Sequence, residues 1–139
     1  MSNRRSFLKK SAIGVSSMFV ASPLLAMKDS IMDLDSFPGV IYTEKDPGRW
    51  KGKESIHVPI ITVKGNEVTM LTNHPMTNPH YIVRHTLVDG KGVVLGSKTF
   101  MPTDPKAIST HTLPDGFHGT LYATSFCNLH DFWVKEFSV

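Results

Sequence analysis

Short runs of β-branched and aromatic residues, separated by turn signals, make up most of the chain from Ile56 to the C-terminus. Side chains alternate between the two faces of a strand, so these runs predict strands, and no window of about 11 residues shows a helical stripe. The predicted strands cover 56–63, 68–71, 81–88, 93–100, 107–112, 120–127 and 132–139, with a further short strand at 40–42. About seven antiparallel strands with a turn every 8 to 12 residues predict an all-β, immunoglobulin-like β-sandwich.

The length of 139 residues allows one domain with a substantial core and excludes two ordinary ones. We expect the sandwich domain to span 56–139. The preceding stretch, 27–55, is polar and rich in turn residues, which predicts an irregular arm and loop whose Trp50 packs on the core.

The first 26 residues have the order of regions that defines an export signal. Arg4 and Arg5 precede an apolar run from Ala12 to Ala26, which is shorter than the roughly 20 residues that cross a bilayer as a helix. The paired arginines look like a bacterial twin-arginine signal. Cleavage is predicted after Ala26, with Ala21 as the alternative. The mature protein is then periplasmic and has no stable membrane anchor.

The basic balance of the chain belongs largely to this leader. Its four basic residues account for part of the 15 Lys and Arg, and without them 11 remain against 12 Asp and Glu. The mature chain then has a net charge near −1, which argues against a nucleic-acid partner.

Two short stretches carry the residues that suit a transition metal. His74 and His80 lie six residues apart in a segment that also holds two prolines, and Cys127 precedes His130 by three residues. A single cysteine cannot form an internal disulfide, so in an oxidising compartment Cys127 is buried, reactive, paired between chains or bound to metal. Neutral nitrogen and soft sulfur donors suit iron, copper and zinc. These stretches predict a mononuclear metal site.

The other histidines do not all deserve the same interpretation. His85, His111 and His118 are predicted to be half-buried packing residues on strands, which is the commoner role of such a histidine. The residue types alone leave His57 open between packing and ligation. They also leave open a reading of Cys127 as a small buried hydrophobe.

The chain resembles the iron domain of superoxide reductases, the neelaredoxin and desulfoferrodoxin family, in three motifs: His57-Val58-Pro59, His74-Pro75-Met76 followed by His80-Tyr81-Ile82, and Cys127-Asn128 followed by His130. The resemblance covers roughly residues 50–133. It implies an immunoglobulin-like sandwich and one iron ion, bound by four imidazoles and one thiolate. The implied ligands are His57, His74, His80, His130 and Cys127. No CxxC segment precedes the domain, which resembles the one-iron form.

The resemblance also implies an activity and partners. Members reduce superoxide by one electron to hydrogen peroxide, and the oxidised iron then needs an external electron donor. Relatives commonly assemble as homodimers or homotetramers, and the sequence leaves the assembly of this chain open.

Two positions depart from the family pattern. Many members carry Glu-Lys immediately before the first ligand histidine, whereas this chain has Ser55 and Ile56 there. Lys53 and Glu54 stand just upstream and are predicted to take the catalytic roles of that pair. A glycine usually follows the last ligand, and here the residue is Asp131.

Two other functions compete with catalysis. The displaced Lys-Glu pair also agrees with a slow or non-catalytic iron redox module that passes electrons to a periplasmic partner. A blue-copper electron carrier likewise places Cys-x-x-His on a β-sandwich, but it expects an axial methionine shortly afterwards. No methionine follows His130.

Overall fold

A computed structural model describes Leu34 and residues 37–139; the predicted export signal and its cleavage site lie outside the described residues. The regular elements of the described chain are almost all strands. Its elements are β1 (Ile41–Tyr42), a 3-10 turn (Gly48–Trp50), α1 (Glu54–His57), β2 (Ile60–Lys64), β3 (Glu67–Thr72), β4 (Ile82–Asp89), β5 (Val94–Thr99), β6 (Ala107–Thr112), β7 (Thr120–Cys127) and β8 (Asp131–Ser138). None of the helices in this part of the chain has the length and hydrophobicity that crossing a membrane requires.

The strands form two sheets, which confirms the predicted sandwich. One sheet has five strands in the order β1-β8-β7-β4-β5, and the other has three in the order β2-β3-β6. The prediction of about seven antiparallel strands was close but incomplete. Strand β1, which lies within the short strand predicted at 40–42, pairs in parallel with β8 through Ile41 and Phe132.

The predicted strand at 56–63 was wrong over its first four residues. Residues Glu54–His57 form one helical turn, closed by the Val58 N–H, which donates to the Glu54 carbonyl at 2.9 Å. Pro59 has no N–H to continue either a helix or a ladder, so the strand starts at Ile60. The β-branched Ile56 and Val58 gave this turn the appearance of a strand.

The tight turns fall where the sequence places them. Lys64 pairs with Glu67 across the β2–β3 hairpin, which leaves a two-residue turn. Gly65 in that turn has a φ of 59°, a conformation that glycine adopts without steric cost. Strands β6 and β7 match their predicted bounds at both ends.

The core divides into three apolar clusters, two of which border the site described below. The central cluster is formed by Val68, Met70, Leu87, Leu113, Leu121 and Ala123. A second contains Ile82, Phe100, Ala107 and Cys127. The third contains Tyr42, Val58 and Trp133, with Trp50 packed against it as predicted. The site therefore stands on packed side chains at one end of the sandwich.

Candidate metal centre

Five side chains from three separate segments meet at this end of the sandwich. They are His57, His74, His80, Cys127 and His130, and their potential ligand atoms all lie within 4.8 Å of one another. The structure thus brings together all five residues that the sequence motifs named as ligands. His57 comes from α1, His74 and His80 from the β3–β4 loop, Cys127 from the end of β7, and His130 from the turn that follows it.

Three successive distances between the ligand nitrogens of the four imidazoles are nearly equal, as along three sides of a square. His57 Nε2 lies 3.0 Å from His130 Nδ1, His130 Nδ1 lies 3.0 Å from His80 Nε2, and His80 Nε2 lies 3.1 Å from His74 Nε2. A square with sides of this length has its corners about 2.1 Å from its centre, which matches a metal–imidazole bond of about 2.0–2.1 Å. The spacing therefore suits one metal ion bound by four nitrogens.

The cysteine sulfur lies outside the plane of these nitrogens. Cys127 Sγ is 3.3 Å from the ligand nitrogen of His80, 3.7 Å from that of His130 and 3.8 Å from that of His74. An atom nearly equidistant from three corners lies on the axis through the square, and these distances exceed the in-plane value of about 2.1 Å. Cys127 therefore holds its sulfur to one side of the four nitrogens, where it would serve as the fifth ligand of a bound metal.

Backbone carbonyls fix the tautomers of two ligand rings. Lys53 provides the carbonyl that accepts from His57 Nδ1 at 2.8 Å, and the Pro75 carbonyl accepts from His74 Nδ1. In each ring the proton then sits on Nδ1, so the lone pair of Nε2 faces the centre of the square. Such outer hydrogen bonds orient metal-binding histidines and increase their basicity.

The surroundings of all four imidazoles lower their pKa and so favour the neutral form. Burial lowers the pKa of His57 to about 4, because the charged ring would lose its hydration. Burial likewise lowers the pKa of His74, His80 and His130, and the mutual repulsion of charged rings adds to the effect at His74 and His130. A neutral imidazole is the form that binds a metal.

Two opposing influences act on the pKa of the Cys127 thiol. Burial raises its pKa, whereas hydrogen bonds from the backbone N–H groups of Leu129 and His130 lower it. A bound metal would take the thiolate form, and the two N–H groups would then stabilise its charge.

Trp133 orients two of the ligands, a role that sequence reasoning missed. Its indole N–H donates to the His130 carbonyl at 2.8 Å, and its ring stacks on His57 with centroids 5.3 Å apart. The ring is fully buried and also contacts Tyr42. In the sequence Trp133 is one of the alternating residues of the last predicted strand, and no nearby motif distinguishes it from the others.

Asn128 joins the two ligand loops. Its Oδ1 accepts from the Tyr81 N–H and its Nδ2 donates to the Pro79 carbonyl, both at 3.0 Å. Its own N–H donates to the Tyr81 carbonyl at 3.2 Å. These bonds hold the segment around His80 against the turn that carries Cys127. The sequence motif contained Asn128 but gave no role for its amide.

Lys53 and Glu54, the predicted catalytic pair, differ in where their charges act. The positive charge of Lys53 is among the causes that lower the pKa of His80 and His130, so it acts on the ligand rings. The carboxylate of Glu54 accepts from the Gly52 N–H at 3.0 Å, which contributes to its lowered pKa. Their catalytic roles stay a prediction.

The three remaining histidines of interest stand apart from the donor group. His85 is fully buried and His111 is half-buried, which confirms their predicted packing roles. The prediction was wrong for His118, which is exposed in the loop between β6 and β7.

Comparison with known proteins relates this geometry to one family. The sequence model of the desulfoferrodoxin family matches residues 48–136. No curated protein matches the chain.

Solved structures give the same relation. The chain is similar to a one-iron superoxide reductase from Giardia intestinalis, with 26% identity and a TM-score of 0.56 over 62% of this chain and 100% of the other. A variant of the neelaredoxin from Ignicoccus hospitalis is 30% identical, with a TM-score of 0.61 over 74% of this chain and 95% of the other. A superoxide reductase in the oxidised state is 27% identical, with a TM-score of 0.56 over 72% and 96% of the two chains.

Proposed function

The chain belongs to the desulfoferrodoxin family, and from that premise we propose that it is a one-iron superoxide reductase. The single observation that carries the proposal is the square of four imidazole nitrogens with Cys127 on its axis. A blue-copper site needs two imidazoles, one thiolate and a weak axial ligand, so the third and fourth imidazoles favour iron.

The ligand set explains how the centre suits an anionic substrate. These five residues would hold one iron ion, which would supply a one-electron couple for the reduction of superoxide. Four neutral imidazoles and one thiolate leave ferrous iron with a net charge near +1, which attracts the superoxide anion. Superoxide takes up one electron and two protons to become hydrogen peroxide, and an external donor restores the electron.

The residues of this chain prepare the centre for that reaction. The carbonyls of Lys53 and Pro75 keep His57 and His74 in the tautomer that binds metal. The N–H groups of Leu129 and His130 stabilise the axial sulfur. These contacts orient the donor atoms of the ligand side chains toward a common point.

Rapid mixing of the ferrous protein with superoxide tests the function. We expect fast oxidation of the iron with one hydrogen peroxide released per superoxide consumed, followed in the absorption band of the ferric–thiolate pair. Iron that stays ferrous would refute catalysis and would support the alternative of a redox or metal-binding module. Metal analysis of protein recovered from its native compartment should give about one iron per chain, and copper would support the blue-copper alternative.

Lys53 is proposed to attract superoxide, since its charge acts on two ligand rings. Lys53→Ala should lower the second-order rate with superoxide by about three- to tenfold at low salt and flatten its dependence on ionic strength. Lys53→Arg keeps the charge and serves as the matched control. Glu54→Ala should change the rate little, because that carboxylate is bound to the Gly52 N–H. Equal rates for Lys53→Ala and wild type would remove Lys53 from the mechanism.

Export by the twin-arginine route to the periplasm is also proposed, on the basis of the N-terminal sequence alone. Replacing Arg4 and Arg5 with lysine should leave the uncleaved protein in the cytoplasm, as measured by cell fractionation.

Light scattering of the mature protein would distinguish the homodimer from the homotetramer that family resemblance implies. The external electron donor would then act in that compartment, and it can be sought by its ability to reduce the ferric centre.

A further inference from the structure

Asp131, the residue after the last ligand, has an unusual backbone conformation. Its φ is 63°, and it is the only non-glycine residue with a positive φ in the described part of the chain. This conformation is disfavoured for residues with a side chain, although aspartate tolerates it better than most. Glycine would meet the backbone requirement at no steric cost. The presence of aspartate therefore directs attention to what its carboxylate contacts.

The carboxylate binds two donors that are distant in sequence. Asp131 Oδ2 accepts from the guanidinium of Arg49 and from the indole N–H of Trp50 at 3.0 Å. The Arg49 guanidinium also stacks over the Trp50 ring, 4.8 Å from its centroid. The indole ring in turn meets the His130 ring edge-on, with centroids 4.7 Å apart. One carboxylate thus fixes an aromatic ring against a ligand ring.

The Arg49–Trp50 pair lies just before the first ligand. The Lys53 N–H donates to the Trp50 carbonyl at 3.0 Å, and the Lys53 carbonyl accepts from the His57 ring. The contact between Asp131 and Trp50 therefore connects the segment that holds His130 to the segment that holds His57. His57 Nε2 and His130 Nδ1 lie 3.0 Å apart. Here an exposed Arg–Asp pair would stabilise the fold only slightly, since water screens it. The main effect of this pair is to fix the position of the Trp50 ring against the His130 ring.

We propose that Asp131 is a positioning residue of the metal centre: its carboxylate, bound to Arg49 and Trp50, sets the relative placement of His130 and His57. This inference rests on the proposed iron site, and it does not depend on superoxide being the substrate. It predicts that loss of the carboxylate changes how the centre holds iron while the fold stays intact.

Asp131→Gly is the decisive variant, because glycine keeps the backbone conformation and removes only the carboxylate. Transfer of ferrous iron from the loaded protein to excess chelator should be about 10- to 100-fold faster than in wild type, the usual effect of losing an outer-shell partner. The ferric–thiolate absorption band should shift, and the melting temperature of the metal-free protein should not fall. Asp131→Asn, which retains an acceptor oxygen, should lie between glycine and wild type.

Trp50→Phe gives an independent measurement if the glycine variant folds poorly. It keeps an aromatic ring beside His130 and removes the N–H that Asp131 accepts, so iron release should again be faster. In the Asp131→Gly background the same change should add little, because the two residues act through one contact. Wild-type iron release and an unshifted band in Asp131→Gly would overturn the proposal, as would fully additive effects.

The experiment separates this inference from the proposed function. A wild-type ferrous protein that superoxide fails to oxidise would refute catalysis, and the comparison of iron release would still decide the role of Asp131. Rapid superoxide oxidation with wild-type iron release in every variant would refute the positioning role alone.

Discussion

Replacing the buried His85 with glutamine should make the protein less sensitive to acid. His85 lies between the two sheets, where Nε2 is 2.9 Å from the Thr72 hydroxyl and Nδ1 is 2.9 Å from the Ser109 hydroxyl. Both neighbours are buried, so a charged imidazole there would lose its hydration. The nearby charges of His111 and Lys98 further oppose protonation.

The size of the effect follows from the pKa values of the two states. Burial lowers the pKa of His85 from 6.5 to about 4 in the folded protein. Between these values the unfolded chain binds a proton that the folded chain does not. The free energy of unfolding therefore falls as the pH falls below 6.5, and it is unaffected above that value. At about 1.4 kcal/mol per pH unit, the total loss by pH 4 is about 3 kcal/mol.

Urea unfolding of wild type and His85→Gln, followed by tryptophan fluorescence between pH 7 and 4.5, measures this contribution. Wild type should lose about 2.5 kcal/mol more than the variant over that interval. The ligand histidines destabilise both proteins in acid, so their contribution cancels in the difference. His118→Gln, at an exposed position, is the matched control and should follow wild type. Parallel pH curves for wild type and His85→Gln would refute the reasoning, whatever constant offset separates them.

Two further substitutions test the packing around the centre and the sandwich. Asn128→Ala removes the side-chain hydrogen bonds to Tyr81 and Pro79, which should lower the free energy of unfolding by about 1–2 kcal/mol. In a chelator assay this variant should release iron about tenfold faster than wild type. The control variant Leu129→Ala should release iron at the wild-type rate. Gly96→Ala would place a Cβ 2.4 Å from His111 Nδ1 and should lower the free energy of unfolding by about 1–2 kcal/mol in urea titration. The control Gly90→Ala meets only ordinary contacts and should be much milder.

The sequence predicted those features that repeat along the chain or stand close together in it. Strands β6 and β7 were predicted at their observed bounds because their β-branched and aromatic runs are flanked by turn signals. The ligands were predicted from three short motifs. By contrast, α1 has only four residues, too few to show helical periodicity. The parallel pairing of β1 with β8 and the contact of Arg49 with Asp131 join residues more than 80 positions apart. No local pattern records such contacts.

The orientation of the ligands and their assembly have different origins in this fold. Lys53, four residues before His57, fixes that ring, and Trp133, three residues after His130, holds that backbone. Assembly depends instead on long-range pairing, such as Ile82 of β4 opposite Cys127 of β7.

Variants that affect ligand orientation and variants that affect the assembly of the sandwich should therefore give different measurements. A variant that weakens the sandwich, such as Gly96→Ala, should lower iron content only by unfolding molecules, and the folded remainder should keep the wild-type spectrum. A variant that loosens a local contact, such as Asn128→Ala or Asp131→Gly, should change the spectrum of a protein that is still fully folded. The ferric–thiolate band and the free energy of unfolding thus report on separate parts of the structure, and only the first is expected to track the rate with superoxide.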